Sequence, residues 1–331
     1  MPAPSSRRRS RRRAPARRAR TPRGARIALW LALGTALLAV PAVARLTMDD
    51  LLDAIAALPG SLGDLPATAA REFAEATGAV TGRHLGFDTH TYPGDRVMRA
   101  WKEGAPYEWV GYYLPAPCHQ DASWSGRREA LDEMGWGTAV IYVGQQTWDG
   151  VAPPSRATLR AAAKSGGPTC HGSLLSARQG AHEGRDAIAR TEAEGFPNGT
   201  VVFLDIEYMD RTPAVMRDYY RAWVRELLAD GRYRPGIYVH TRNARLIHGD
   251  VSAEYAAAGV PGEPPFWVAS ARDFATHKAP HEVGHGFAAV WQGALDTWQS
   301  WNGFRLPIDV NVAAVPSPSS HVYGQVWSAA D

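Results

Sequence analysis

Three short runs place carboxylates where apolar segments stop: Gly86-Phe87-Asp88-Thr89-His90, Phe203-Leu204-Asp205-Ile206-Glu207-Tyr208 and Pro307-Ile308-Asp309-Val310-Asn311. The sharpest of them is Asp205-Ile206-Glu207. Side chains alternate along a strand, so residues two apart face the same way and both carboxylates enter one site. Crowded negative charges raise the pKa of at least one acid, which keeps it protonated and able to act as a general acid near neutral pH. Glu207, farther along the strand, is the expected acid. Asp205 is expected to orient a group or to stabilise developing positive charge. Taken alone, a D-x-E at a strand end reads equally well as two solvated charges.

A competing chemistry is written in His281-Glu282-Val283-Gly284-His285, which fits the H-E-x-x-H pattern by which a helix presents two histidines to zinc. Pro280 before it, Gly284 inside it and the strand-like run from Phe287 leave no room for the long helix this requires, so a histidine-bearing loop is expected. Cys118 and Cys170 also lack the spacing of a structural zinc site. In an oxidising compartment such a pair is expected to form a disulfide, with two free thiols as the alternative. Asn198-Gly199-Thr200 has the form of a glycosylation acceptor but reads first as a turn before a strand. Without a G-x-S-x-G elbow or a phosphate-binding glycine loop, serine-hydrolase and nucleotide-binding readings have no support.

The acids need a scaffold, and the pattern around them supplies one. Short apolar runs at 84–88, 109–114, 138–144, 200–208, 235–240, 266–270, 287–292 and 306–312 alternate with amphipathic stretches, notably 176–194 and 213–230. In the second stretch Val215, Tyr219, Ala222, Trp223 and Leu227 recur at helical spacing. Eight such units predict an α/β fold, a (β/α)8 TIM-type barrel forming a single domain over 84–313. An open doubly wound sheet has the same alternation. In a barrel the working residues sit at the C-terminal ends of the strands, where these carboxylates fall.

The chain of 331 residues is 45% hydrophobic and 21% charged, the balance of a packed globular protein. Its net charge of +3 is unevenly spread. Residues 1–44 hold eleven arginines and no acid, leaving 25 Lys and Arg against 33 Asp and Glu, a balance of −8, for the remainder. A basic run could bind nucleic acid, but an apolar stretch, IALWLALGTALLAVPAVA, follows at once and ends in Ala42-Val43-Ala44. That order predicts a signal peptide cut after Ala44, or an uncleaved membrane anchor. Either places the body outside the cytoplasm, and the paired arginines also admit a twin-arginine route. No nucleic-acid partner is expected, and membrane contact only through this segment. A linker at 45–83 carries a short helix with Met48, Leu51, Leu52, Ile55 and Leu58 on one face. The tail at 314–331 shows no chemistry.

Six strand motifs occur in a telling order: Gly86-Phe87-Asp88, Leu204-Asp205-Ile206-Glu207, Gly236-Ile237-Tyr238, Phe266-Trp267-Val268-Ala269, Trp291-Gln292 and Ile308-Asp309-Val310-Asn311. Together they resemble the strands of family 25 lysozymes. The fuller opening GFDTHTYPGDRVMRAW, with GYYL at the second strand, is more similar still to a bacterial exported family of glycoside-hydrolase-like proteins. The resemblance covers about residues 84–313. It implies a pocket of Asp88, Asp205, Glu207 and Asp309, with Glu207 as acid and Asp205 steering the substrate's acetamido group in place of a protein nucleophile. The implied substrate is the glycan of peptidoglycan, cut between N-acetylmuramic acid and N-acetylglucosamine by a monomer needing no metal or organic cofactor. Tyr112, Tyr208, Tyr238, Trp267, Trp291 and Gln292 are the implied sugar-binding residues; core packing is the alternative for the aromatics. The chain departs from the lysozymes at His90, Thr91 and Tyr92, where they usually have a small polar residue and then a tryptophan. For the exported family, glycan binding without cleavage is the alternative to hydrolysis.

Overall fold

The computed structural model describes residues 82–148 and 170–320. The export segment, the linker helix and the end of the tail lie outside the described residues. The element order is β1 (His84–Asp88), α1 (Asp95–Gly104), β2 (Trp109–Tyr113), α2 (Arg128–Glu133), β3 (Gly137–Val143), α3 (Ala177–Ala193), β4 (Val201–Ile206), α4 (Ala214–Asp230), β5 (Arg234–His240), α5 (Thr241–Ala257), β6 (Phe266–Ala269), β7 (Ala288–Trp301) and β8 (Phe304–Ala313). The strands close in sequence order into a barrel.

Strands β1 to β7 run parallel, whereas β8 lies antiparallel to both β7 and β1. The cause is local. Asn302 and Gly303 both adopt positive φ (46° and 84°), as a two-residue type I′ hairpin turn requires. So short a link can only reverse the chain, because a parallel crossover needs a dozen residues or more. The hairpin outgrows the barrel and lies against α1. The Asn302 amide donates to the Ala100 carbonyl at 2.9 Å, and the Tyr107 hydroxyl to Gln299 Oε1 at 2.8 Å.

Alternation decides what each strand residue does. On the inner face, the rings of Trp109, Phe203 and Trp267 meet edge to face at 5.5 to 5.7 Å and fill the lower barrel. Gly86 leaves the space that the Trp109 ring occupies: a Cβ there would lie 2.1 Å from that ring. On the outer face, Tyr112, Tyr142, Leu204 and Trp291 are fully buried. Residues 317–319 bond to the backbone of β3 and to the start of β4, where the Val201 amide donates to the Ser319 carbonyl at 3.0 Å. Ser319 accepts from the Val140 amide at 2.7 Å and donates its own amide to the Thr138 carbonyl at 2.9 Å. Part of the chemically silent tail is thus structural.

Helices α3 and α4 pack closely because Gly180 has no side chain: a Cβ there would fall 2.0 Å from the Tyr219 carbonyl oxygen. Alanine would gain about 1 kcal/mol of helix propensity, but backbone cannot yield as a side chain can, and overpacking costs about 1–3 kcal/mol or more. Gly180→Ala is therefore expected to destabilise the protein by about 1–2 kcal/mol net, which chemical denaturation reads directly.

Candidate functional site

The four carboxylates meet at the upper end of the barrel. A small open cavity is lined by Asp88, His90, Tyr113, Ile141, Asp205, Glu207, Tyr238, Trp267, Gln292 and Asp309. Asp88 ends β1 and is almost fully buried. It accepts from the Tyr113 hydroxyl at 2.7 Å, from Asn311 Nδ2 at 2.8 Å and from Gln292 Nε2 at 3.1 Å. Gly111 makes room for it, since a Cβ there would lie 2.5 Å from the Asp88 Cβ. Asn311 is held in turn by the Trp267 indole, which donates to Oδ1 at 3.0 Å. Tyr238 donates to Gln292 Oε1 at 2.6 Å.

Asp309 does not stop a strand. It lies inside β8 and reaches the mouth because that strand runs backwards, which pairs it with Asp88 in register. Its carboxylate accepts from the Asp296 amide at 2.7 Å and from Gln292 Nε2 at 3.2 Å. Asp205 closes the inner wall on β4, nearly buried, and its Oδ1 has no hydrogen-bond partner among the described residues. Glu207 follows β4 and is half-buried at the cavity.

Burial and crowding push all four acids upward. Asp205 is raised well above the usual carboxylate range, first by burial and then by the charges of Glu207 and Asp88. Burial likewise raises Asp88, against the hydrogen bonds of Tyr113, Asn311 and Gln292. Glu207 is raised by burial and by Asp88, with the Tyr208 backbone and His90 opposing. Burial and the Asp88 charge push Asp309 up to about 7. The cluster cannot carry four negative charges at neutral pH, so it holds protons where a reacting group could take them.

This arrangement makes the site a cost to the fold. Where the folded pKa lies above the unfolded one, the native state keeps a proton that the unfolded chain releases, so stability falls as pH rises through that window. Between the ordinary carboxylate value near 4 and the raised values, here to about 7 for Asp309, the midpoint of urea unfolding is expected to fall as pH rises. A flat or rising profile across this window would contradict the cluster.

Of the expected sugar-binding residues, Tyr238, Trp267 and Gln292 line the cavity, and Tyr208 is exposed beside Glu207. Tyr112 and Trp291 do not reach it. Both belong to the outer face of the wall: Tyr112 donates to Glu194 and packs on Trp124 and Phe196, and Trp291 donates to the Ser270 carbonyl at 2.7 Å. Tyr113, one residue on, takes the inward place. His90, noticed in the sequence only as a departure, lines the cavity and stacks on Tyr113 at 5.5 Å. Cys118 and Cys170 are joined in a disulfide. The H-E-x-x-H run is a 3-10 turn over Pro280–Val283, where Glu282 caps the Ala279 amide at 2.8 Å and His285 bonds Thr241 at 2.9 Å. Among the described residues no cluster of three or more His, Cys, Asp or Glu is arranged to hold a metal.

The profile of one protein family, described as the Rv2525c-like, glycoside hydrolase-like domain, matches residues 99–313. The match begins within α1, so Asp88 and His90 precede it. No curated protein matches the chain. Among solved structures, the chain is similar to an uncharacterized B. stearothermophilus protein (17% identity, TM-score 0.45, 70% of this chain and 95% of that one). It is also similar to the Clostridium perfringens spore cortex lytic enzyme SleM (15% identity, TM-score 0.43, 71% and 68%). A third is the Mycobacterium tuberculosis Tat-secreted protein Rv2525c in complex with L-tartrate (15% identity, TM-score 0.41, 70% and 94%).

Proposed function

Because the chain belongs to the Rv2525c-like, glycoside hydrolase-like domain family, we propose that it is an exported hydrolase of bacterial cell-wall glycan, with peptidoglycan as substrate and muramidase-like cleavage as its reaction. The observation that carries this reading is the convergence of Asp88, Asp205, Glu207 and Asp309, from three well-separated stretches of chain, on one open cavity.

Glu207 combines a raised pKa with partial exposure, so its proton can reach a leaving-group oxygen at the mouth. Asp205 lines the cavity, where its carboxyl would accept from an acetamido N–H and aim that group at the anomeric carbon. Asp88 and Asp309, bridged by the Gln292 amide, shape the wall and supply negative potential where an oxocarbenium-like charge would develop. Tyr208 and Tyr238 are the candidates for stacking on or bonding to sugar. The segment 1–44 would deliver the barrel outside the cytoplasm, by cleavage after Ala44 or as an anchor.

The test is to incubate the purified body with peptidoglycan and follow release of reducing ends, identifying the fragments by mass spectrometry. Fragments ending in a free N-acetylmuramic acid support the proposal. Binding to sedimented peptidoglycan with no new reducing ends would replace it with a glycan-binding barrel that does no chemistry.

A further inference from the structure

We infer that Gln146 is a positioning residue for Glu207, its side-chain amide standing in for the strand that β4 lacks beside its functional end. This inference rests on the reading of Glu207 given above.

The ladder between β3 and β4 ends at the pair Val143 and Asp205, because β3 stops at Val143. On its other flank β4 stays paired one residue farther, Ile206 opposite Val239 of β5. The flank toward β3 is therefore bare at the height of the D-x-E. A parallel neighbour opposite Ile206 would donate to the carbonyl before it and accept from the amide after it. The Gln146 side chain makes both bonds: Nε2 donates to the Asp205 carbonyl at 2.9 Å, and Oε1 accepts from the Glu207 amide at 3.0 Å. A primary amide carries the same donor and acceptor as a peptide group, so it can extend a ladder where no backbone is available.

The clamp is itself anchored with more than space filling requires. Gln146 is 2% exposed, Gln145 and Glu183 1% each and Tyr219 0%. The Tyr219 hydroxyl accepts from the Gln145 amide at 3.1 Å and donates to Glu183, which also accepts from Gln145 Nε2 and Gln179 Nε2, both at 2.7 Å. Gln145 Oε1 takes the His171 amide at 2.9 Å, next to the disulfide at Cys170. A buried carboxylate with three donors is an expensive anchor, and here it fixes Gln145, the residue next to the amide that holds Glu207. Displacing a reacting group by about 1 Å costs roughly 100-fold in rate.

Two variants test this, each measured beside wild type at every pH. Gln146→Leu removes donor and acceptor at similar volume. Its kcat for reducing-end release is expected to fall roughly 10- to 100-fold with KM within about threefold, and the Glu207 amide is expected to lose protection from hydrogen exchange. In Gln146→Glu a protonated carboxyl can restore both bonds, whereas the ionised form faces the Asp205 carbonyl without a donor. Its deficit relative to wild type is therefore expected to shrink as pH falls, which a packing defect would not produce. Unchanged exchange at Glu207 in Gln146→Leu, or a deficit of Gln146→Glu that is flat with pH, would overturn the clamp. If the wild-type protein releases no reducing ends, the hydrolase reading fails by itself, and exchange at the Glu207 amide still decides on the clamp: lost protection upholds it, retained protection overturns it.

Discussion

Glu207→Gln is expected to leave the barrel folded and to lower kcat for glycan cleavage by between about 10² and 10⁴-fold, the range over which a positioned general acid contributes. The substitution preserves shape and removes the transferable proton. It also removes one charge from a crowded set, so thermal stability at neutral pH should hold or rise. Because the lost interaction exists only in the transition state, KM should change little. Initial rates of reducing-end release, set beside a thermal unfolding curve, check both parts. A variant that cleaves within about tenfold of wild type would remove Glu207 from the acid's role.

Asp205→Asn is expected to trade activity for stability. In the folded protein Asp205 is raised well above the usual range by burial and by Glu207 and Asp88, so its ionised form is costly there and cheap in the unfolded chain. Asparagine carries no such charge. The variant should match wild type near pH 4 and gain an advantage that grows as pH rises toward neutral. It should also flatten the decline of stability with pH expected of the native cluster. If Asp205 steers an acetamido group through negative charge as well as through an acceptor oxygen, kcat should fall by about 10² to 10³-fold. Urea unfolding at several pH values with parallel activity assays reads both effects. Equal loss of stability at all pH values would show instead that Asp205 is a structural acceptor.

The eight strands and the four acids lining the cavity are legible because burial writes apolar runs into the chain and each of these carboxylates interrupts or ends one. The direction of the eighth strand is legible too: Asn302-Gly303 between Trp301 and Phe304 is a strong hairpin signal. The inner and outer faces of β2 and β7 are not. Tyr112 and Tyr113 are adjacent tyrosines in one apolar run, and the register against β1 that turns Tyr113 inward comes from pairing across the sheet. Gln146 could have been found by the rule that found the acids, since Gln145 and Gln146 are polar residues ending the run from Thr138. Their importance shows only when the partner strand is seen to continue past its neighbour. The bonds of Ser317 and Ser319 to β3 left no trace in the sequence, as hydroxyl bonds to a distant backbone have no period to read.

The ring closes between its first and last strands, and the bond from Asn311 to Asp88 spans 223 residues of chain. A nascent polypeptide therefore carries all its acids but no assembled cavity until almost the final segment has emerged. Contacts this remote in sequence slow folding. In a barrel closed this way the cavity comes into being only when the last strand has been made, so no shorter fragment of the chain can hold the four acids together.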